Sequence, residues 1–265
     1  MSRSLAEVFA DTATQGRAAL IGYLPAGFPT PARSVDLIAD MVSAGVDIIE
    51  VGLPYSDPLM DGPDIQAAVE AALLAGTTPE VVLDVVAQVA ALGATAVVMS
   101  YWNPIERYGV ERFADRLADA GGVGVITPDL TPEEAGPWIA ATDRRGLDRV
   151  FLVAPSSTDA RIVTVAAATS GFVYAASVMG VTGARAQVGA AAPELVRRTR
   201  ALTTLPIAVG LGVSTGAQAA DLAGYADGVI VGSAFVRRIL QADDHEQARA
   251  GVRDLAAELA RGVRR

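Results

Sequence analysis

The chain contains no cysteine, which excludes a thiolate nucleophile and a thiolate-ligated metal. It also contains no lysine, because all 21 basic residues are arginine. That removes Schiff-base catalysis, a lysine anchor for pyridoxal phosphate and the lysine of a P-loop. The single histidine, His245, lies in a charged C-terminal segment, QADDHEQAR, and reads as a solvated helix residue. A Ser-His-Asp triad or a histidine-rich metal site would need this residue, or more like it. No run of 18 or more apolar residues occurs, so no membrane-spanning helix is predicted. The first residues, MSRSLAEVFADTATQ, lack the apolar region of a signal peptide. Positive charge is in deficit as well. A net charge of −9 disfavours nucleic acid and anionic membrane surfaces as partners. The expectation is a cytoplasmic protein whose acid–base chemistry falls to Asp, Glu and Tyr.

What is present is apolar and periodic. Hydrophobic residues make up 51% of 265 positions, enough for a large core, and no linker or boundary divides the chain. The spacing predicts a short helix over 4–14, a strand over 18–24 and a helix over 31–44 stopped by Gly45. A second apolar strand around residues 46–51 leads to a loop and a helix opened by Pro63, with a further helix over 80–92. Strands follow at 95–101, 123–127, 149–153, 172–177, 206–209 and 228–231, each trailed by a helical segment. One of these helices is expected to run from Pro104 through Phe113 and Leu117. Others start at the Thr131-Pro132-Glu133-Glu134 cap, at Ser157 or Thr158, at about Pro193, at Ser214 and after Gly232-Ser233. Continuously apolar strands are buried on both faces, as a parallel sheet requires. Eight such units in this length predict one α/β domain over residues 1–265, a (β/α)8 TIM barrel. It carries an extra N-terminal helix and an extra helix after the second β/α unit. An open doubly wound sheet is the alternative, but no GxGxxG follows the first strand.

Two constellations stand out on that frame. The stretch IIEVGLPYSDPLMDGPDIQ, residues 48–66, puts Glu50 inside an apolar strand and Asp57 and Asp61 in the loop beyond it. A carboxylate in a strand is costly to bury unless it is paired or used. Glu50 could pair with an arginine inside the barrel, and Asp61 could simply cap the following helix. Active sites of TIM barrels lie at the C-terminal ends of the strands, where this chain also places Tyr23, Tyr101, Asp129 and Tyr174. The second constellation is glycine-rich: Thr182-Gly183, Gly210-Leu211-Gly212 and Gly232-Ser233 follow the last three strands. Glycine lets backbone amides approach an anion, and loops after strands seven and eight form the recurrent phosphate site of this fold.

Residues 50–66 closely resemble the signature of the tryptophan synthase α-subunit family. The resemblance continues in PAGFP (25–29), SYWNP (100–104), GFVYAASVMGVTGAR (171–185), VGLGVS (209–214) and VGSAFV (231–236). It implies a lyase of tryptophan biosynthesis that cleaves indole-3-glycerol phosphate to indole and glyceraldehyde 3-phosphate with no cofactor of its own. It implies Glu50 as general acid and base, Asp61 as acceptor of the indole N–H and Tyr174 as a positioning group. Tyr23, Met99, Tyr101, Ile126 and Val153 then line the indole pocket, and Thr182, Gly183, Gly212, Gly232 and Ser233 hold the phosphate. It also implies a partner, a pyridoxal-phosphate β subunit in an α2β2 complex, docked against residues 54–57 (Pro54 and Asp57 among them) and Asn103-Pro104. A stand-alone lyase that releases indole and a non-catalytic activating subunit are the alternatives. Two departures from the family pattern are Phe28, where many members have Asp, and Val178, where some have Arg. Assignment of Arg185 stays open.

Overall fold

The structure, a computed structural model, describes residues 3–176, 191–210 and 212–264. The chain opens with α1 (Leu5–Thr14), β1 (Ala19–Pro25), α2 (Pro31–Ser43) and β2 (Ile48–Gly52). Next come α3 (Pro63–Leu74), α4 (Pro79–Ala91), β3 (Thr95–Met99), α5 (Trp102–Tyr108), α6 (Val110–Asp119) and β4 (Gly124–Ile126). The middle holds α7 (Gly136–Arg145), β5 (Asp148–Val150), β6 (Leu152–Val153), α8 (Asp159–Ala168) and β7 (Val173–Ala176). It closes with α9 (Ala191–Arg200), β8 (Ile207–Gly210), α10 (Gly216–Ala223), β9 (Gly228–Val231), α11 (Ser233–Leu240) and α12 (His245–Gly262).

All the strand pairings are parallel, in the order β5-β4-β3-β2-β1-β9-β8-β7-β6. The two ends of that order are neighbours in the chain, separated only by Phe151. β5 pairs with β4 and β6 with β7, so one bent fifth strand joins the two edges and the sheet forms a barrel. Alternation sorts the side chains into two layers. Ala19, Ile21, Ile48, Val97, Ile126, Val150, Phe172, Ala208 and Ile230 fill the interior. Leu20, Leu24, Ile49, Val51, Val98, Val125, Phe151, Val173 and Val209 face the surrounding helices.

The interior alone does not close the barrel floor. Leu5, Val8 and Phe9 of α1 join the interior cluster, with the Phe9 and Phe172 rings 5.5 Å apart. A capping box fixes the start of this plug: Ser4 accepts from the Glu7 amide, and the Glu7 carboxylate accepts from the Ser4 amide at 2.8 Å. The extra helix between β2 and β3 is present as α4.

Four local expectations are corrected. The helix expected from Pro104 onward is two helices, because Gly109 between them has φ +101°, a conformation that breaks helical hydrogen bonding and suits glycine. Thr131 does not start a helix. Its hydroxyl meets the Glu134 carboxylate at 3.2 Å in a turn, and α7 begins only at Gly136. The expected strand at 149–153 is interrupted at Phe151, as the barrel seam described above. The cap of α10 is Thr215, whose side chain accepts from the Gln218 amide, rather than Ser214.

Candidate active site

The site begins with a register. Tyr23 on β1 lies beside Glu50 on β2, which lies beside Val97 on β3. In β2, Ile48 points into the barrel and Ile49 points out, so alternation turns Glu50 inward, one layer above Ile48. Glu50 is 2% exposed. Its Oε1 has no hydrogen-bond partner among the described residues. A charge there would be neither solvated nor paired, so burial pushes the Glu50 carboxyl up to about 8. The neutral acid is the stable form at neutral pH, and the proton is poised for transfer. Among the described residues no arginine pairs with Glu50, so none of them supplies the ion-pair alternative.

Tyrosines flank this carboxyl. Tyr174 on β7 is pushed well above the ordinary range, first by burial and then by the charge of Glu50. Tyr23 is also raised, by burial and then by Asp61 and Glu50. Both phenols therefore stay protonated and can donate. Their positions depend on glycine. A Cβ at Gly52 would lie 2.5 Å from the Tyr23 hydroxyl, and one at Gly210 would overlap the Tyr174 hydroxyl. The matching ends of β2 (IIEVG) and β8 (IAVG) thus leave room for one ring each.

Asp61 approaches from the loop between β2 and α3 and is half-buried. Burial raises its pKa, opposed by a hydrogen bond from Tyr101, whose hydroxyl is 3.2 Å from Asp61 Oδ1. The carboxylate does not cap α3, whose N-cap is Gly62 with no side-chain hydrogen bond. Met99 and Ile126 pack at the barrel interior. Val153 does not. It sits in the outer layer, while Leu152 packs against the interior cluster, because period-2 alternation after Val150 turns residue 152 inward. Asp129 serves α5, accepting from the Trp102 amide at 2.9 Å.

Of the expected phosphate groups, Thr182 and Gly183 lie outside the described residues, as do Val178 and Arg185. Gly212 has φ +62°. Gly232 precedes α11, whose N-terminus carries no side-chain cap and begins with the buried Ser233. Uncapped amides at a helix N-terminus form an anion site. On the outside, Asp57 and Asn103 are exposed, Pro104 is half-buried and Pro54 is buried. Phe28 is 5% exposed within the outer layer. His245 is the first residue of α12, with Nε2 3.3 Å from Asp36 and far in sequence from this mouth. Sequence reading missed Leu152, and it took Tyr55 only as part of the docking loop 54–57. Tyr55 had a signal, an aromatic between two prolines in the acid loop. Leu152 had none beyond strand parity.

Barrel and mouth together define a TIM barrel with carboxyl and phenol groups gathered at its mouth. The family model described as "Tryptophan synthase alpha chain" matches residues 9–264. The chain belongs to the tryptophan synthase alpha chain family. It is 62% identical to the tryptophan synthase alpha chain of Thermobifida fusca over 267 aligned residues, covering 100% of this chain and 97% of that protein. It is 56% identical to the Streptomyces coelicolor alpha chain, covering 98% and 96%. A solved structure of tryptophan synthase from Mycobacterium tuberculosis superposes with TM-score 0.92 at 53% identity, covering both chains completely.

Proposed function

We propose that residues 1–265 act as one TIM-barrel domain, the α subunit that cleaves indole-3-glycerol phosphate to indole and glyceraldehyde 3-phosphate. The observation that carries the mechanism is Glu50: a buried carboxyl with an unpartnered oxygen, held up to about 8 in the interior mouth of the barrel. The carbon–carbon bond breaks once the indole can receive its electrons. The neutral Glu50 acid gives its proton to ring C3, making that ring the electron sink. Asp61 accepts the indole N–H and offsets the positive charge that develops on nitrogen. The Glu50 carboxylate then takes the proton of the glycerol hydroxyl. The oxygen's electrons form the aldehyde C=O, the carbon–carbon pair returns to the ring, and indole leaves neutral. One group serves twice because its pKa lies near working pH.

Tyr174 and Tyr23 orient the reacting face, with Met99, Ile126 and Leu152 as the apolar wall. Gly212, Gly232 and Ser233 hold the phosphate with the α11 amides, together with Thr182 and Gly183. No cofactor is assigned to this chain, which offers no lysine for pyridoxal phosphate. That cofactor belongs to the β subunit, which docks on Asp57 and Asn103-Pro104 and receives indole. Pro54, buried in the same loop, belongs to this surface as well. Among the described residues no helix is long and apolar enough to cross a membrane, and we place the enzyme in the cytoplasm. The test is indole release by the purified chain, with and without a β subunit. Turnover that rises on adding β supports the subunit reading. High turnover that β leaves unchanged identifies a stand-alone lyase instead.

A further inference from the structure

One phenol in the mouth is bonded differently from the others. The Tyr101 hydroxyl lies 3.1 Å from the Leu59 amide, 2.9 Å from the Met60 amide and 3.2 Å from Asp61 Oδ1. A tyrosine hydroxyl has one proton and two lone pairs. Backbone amides can only donate, so they take both lone pairs, and the proton has one remaining destination, Asp61 Oδ1. The direction of every bond in this cluster is thereby fixed by chemistry. Asp61 Oδ1 must be an acceptor.

The ring that carries this hydroxyl is held from outside. Tyr101 is 7% exposed, and the Tyr55 ring packs against it at 5.5 Å with a 41° tilt. The Tyr55 hydroxyl is in turn within 3.1 Å of Asn103 Nδ2, which donates to it. Gln66 Nε2 also tethers the loop, donating to the Asp61 carbonyl at 2.8 Å.

We propose that Tyr101 is a positioning residue for the reaction: its saturated hydroxyl clamps residues 59–61 and presents its only proton to Asp61, keeping that side chain in the accepting, carboxylate form. This rests on the catalytic role proposed for Asp61. It explains how two carboxyl groups in one mouth divide the labour. Glu50 has a buried oxygen with no donor among the described residues and stays protonated. Asp61 is also raised by burial, but a donor opposes the rise. The other described titratable groups about Asp61 do not take this place. Neither Tyr23 on β1 nor Glu50 on β2 makes a hydrogen bond to Asp61 among the described residues, where Tyr101 is its side-chain donor, and Asp64 at the start of α3 is already paired with Arg237 of α11 at 2.6 Å.

The experiment uses the full chain and the single change Tyr101→Phe, which keeps the ring and removes the hydroxyl. Carboxyl carbon NMR should show the Asp61 titration midpoint moving up. Hydrogen exchange at the Leu59 and Met60 amides should become faster, since both lose their acceptor. With indole-3-glycerol phosphate, kcat should fall roughly tenfold to a hundredfold at little change in KM, a size typical of misplaced catalytic groups. The acid limb of the pH profile should move to higher pH. Adding Asp61→Asn to Tyr101→Phe should then cost much less than Asp61→Asn costs alone. An unmoved Asp61 midpoint, or a double variant whose loss is the product of the two single losses, overturns the proposal. The NMR titration needs no turnover. If the parent chain failed to cleave the substrate, the functional reading would fall while the clamp was still being measured.

Discussion

The two ends of this barrel use the same residue types in opposite ways. At the floor, two acids are saturated. Asp47, just before β2, accepts from Arg17 Nη1 and Nη2 at 2.6 and 2.8 Å and from the Leu20 amide at 2.8 Å. Asp227, just before β9, accepts from Arg200 and from the Ile207 amide, each at 2.9 Å. At the mouth, among the described residues, Glu50 has a buried oxygen with no donor, and Asp61 accepts from the Tyr101 phenol. Buried polar groups are normally satisfied. The floor obeys that rule and adds stability. The mouth breaks it at Glu50 among the described residues, which fits the reactive role proposed for that carboxyl. Asp47 flanks and Glu50 occupies the same strand, β2, so position along the strand separates the saturated acid from the proposed reactive one, as it does generally in this fold.

The comparison breaks most visibly at Glu50. Glu50→Gln should lower indole formation about a thousandfold, in the range of lost general acid–base catalysis, with the fold kept. In the parent protein, burial raises this carboxyl from 4.5 to about 8. The native state therefore keeps a proton that the unfolded chain releases above 4.5, and folding stability falls as pH rises from 4.5 to 8. Denaturant midpoints measured across that window should show a shallower decline in Glu50→Gln. Activity that needs the protonated acid should drop above about pH 8 in the parent. A Gln variant with parental turnover would sink the assignment.

The floor should respond in the opposite sense. Asp47→Ala strands the Arg17 guanidinium, whose side chain is 14% exposed, and the Leu20 amide. It should cost about 3 kcal/mol in urea unfolding while kcat of the surviving folded protein stays within about twofold. A loss of kcat without loss of stability would erase the distinction between the two ends.

Gly210→Ala probes the mouth without touching a carboxyl. The new methyl would meet the Tyr174 hydroxyl, so the ring must shift. Turnover should fall about tenfold and stability by about 1–2 kcal/mol. The smallest effect is expected at the plug. Ser4→Ala removes the α1 capping box and should lower stability by about 1 kcal/mol with no change in the pH profile.

Much of this was legible in one dimension because it depends on local rules. Apolar runs spaced by helical segments read as eight β/α units, and strand β9 fell where its pattern placed it. Glu50 was recognisable as a buried acid because the residues on both sides of it are apolar. The errors were local as well. Thr131 has every feature of a cap, but the chain there makes a turn and delays α7. Residues 149–153 look uniformly apolar around Arg149, so periodicity could not show where a strand must bend to join both edges of the sheet. Val153 was placed at the pocket by likeness, and only the count of inward positions along β5 and β6 moved that role to Leu152.

By itself the sequence determined which chemistry was possible. With no lysine, no cysteine and one remote histidine, only carboxylates and phenols remained, and residues 48–66 supplied the acids. Tertiary structure decided what those acids are. The Glu50 proton depends on how many donors reach a buried oxygen, and the Asp61 environment depends on a phenol 40 residues away in the chain. Solvation and hydrogen-bond partners are properties of three-dimensional neighbourhoods, so an acid's sequence position names the residue but not its protonation state.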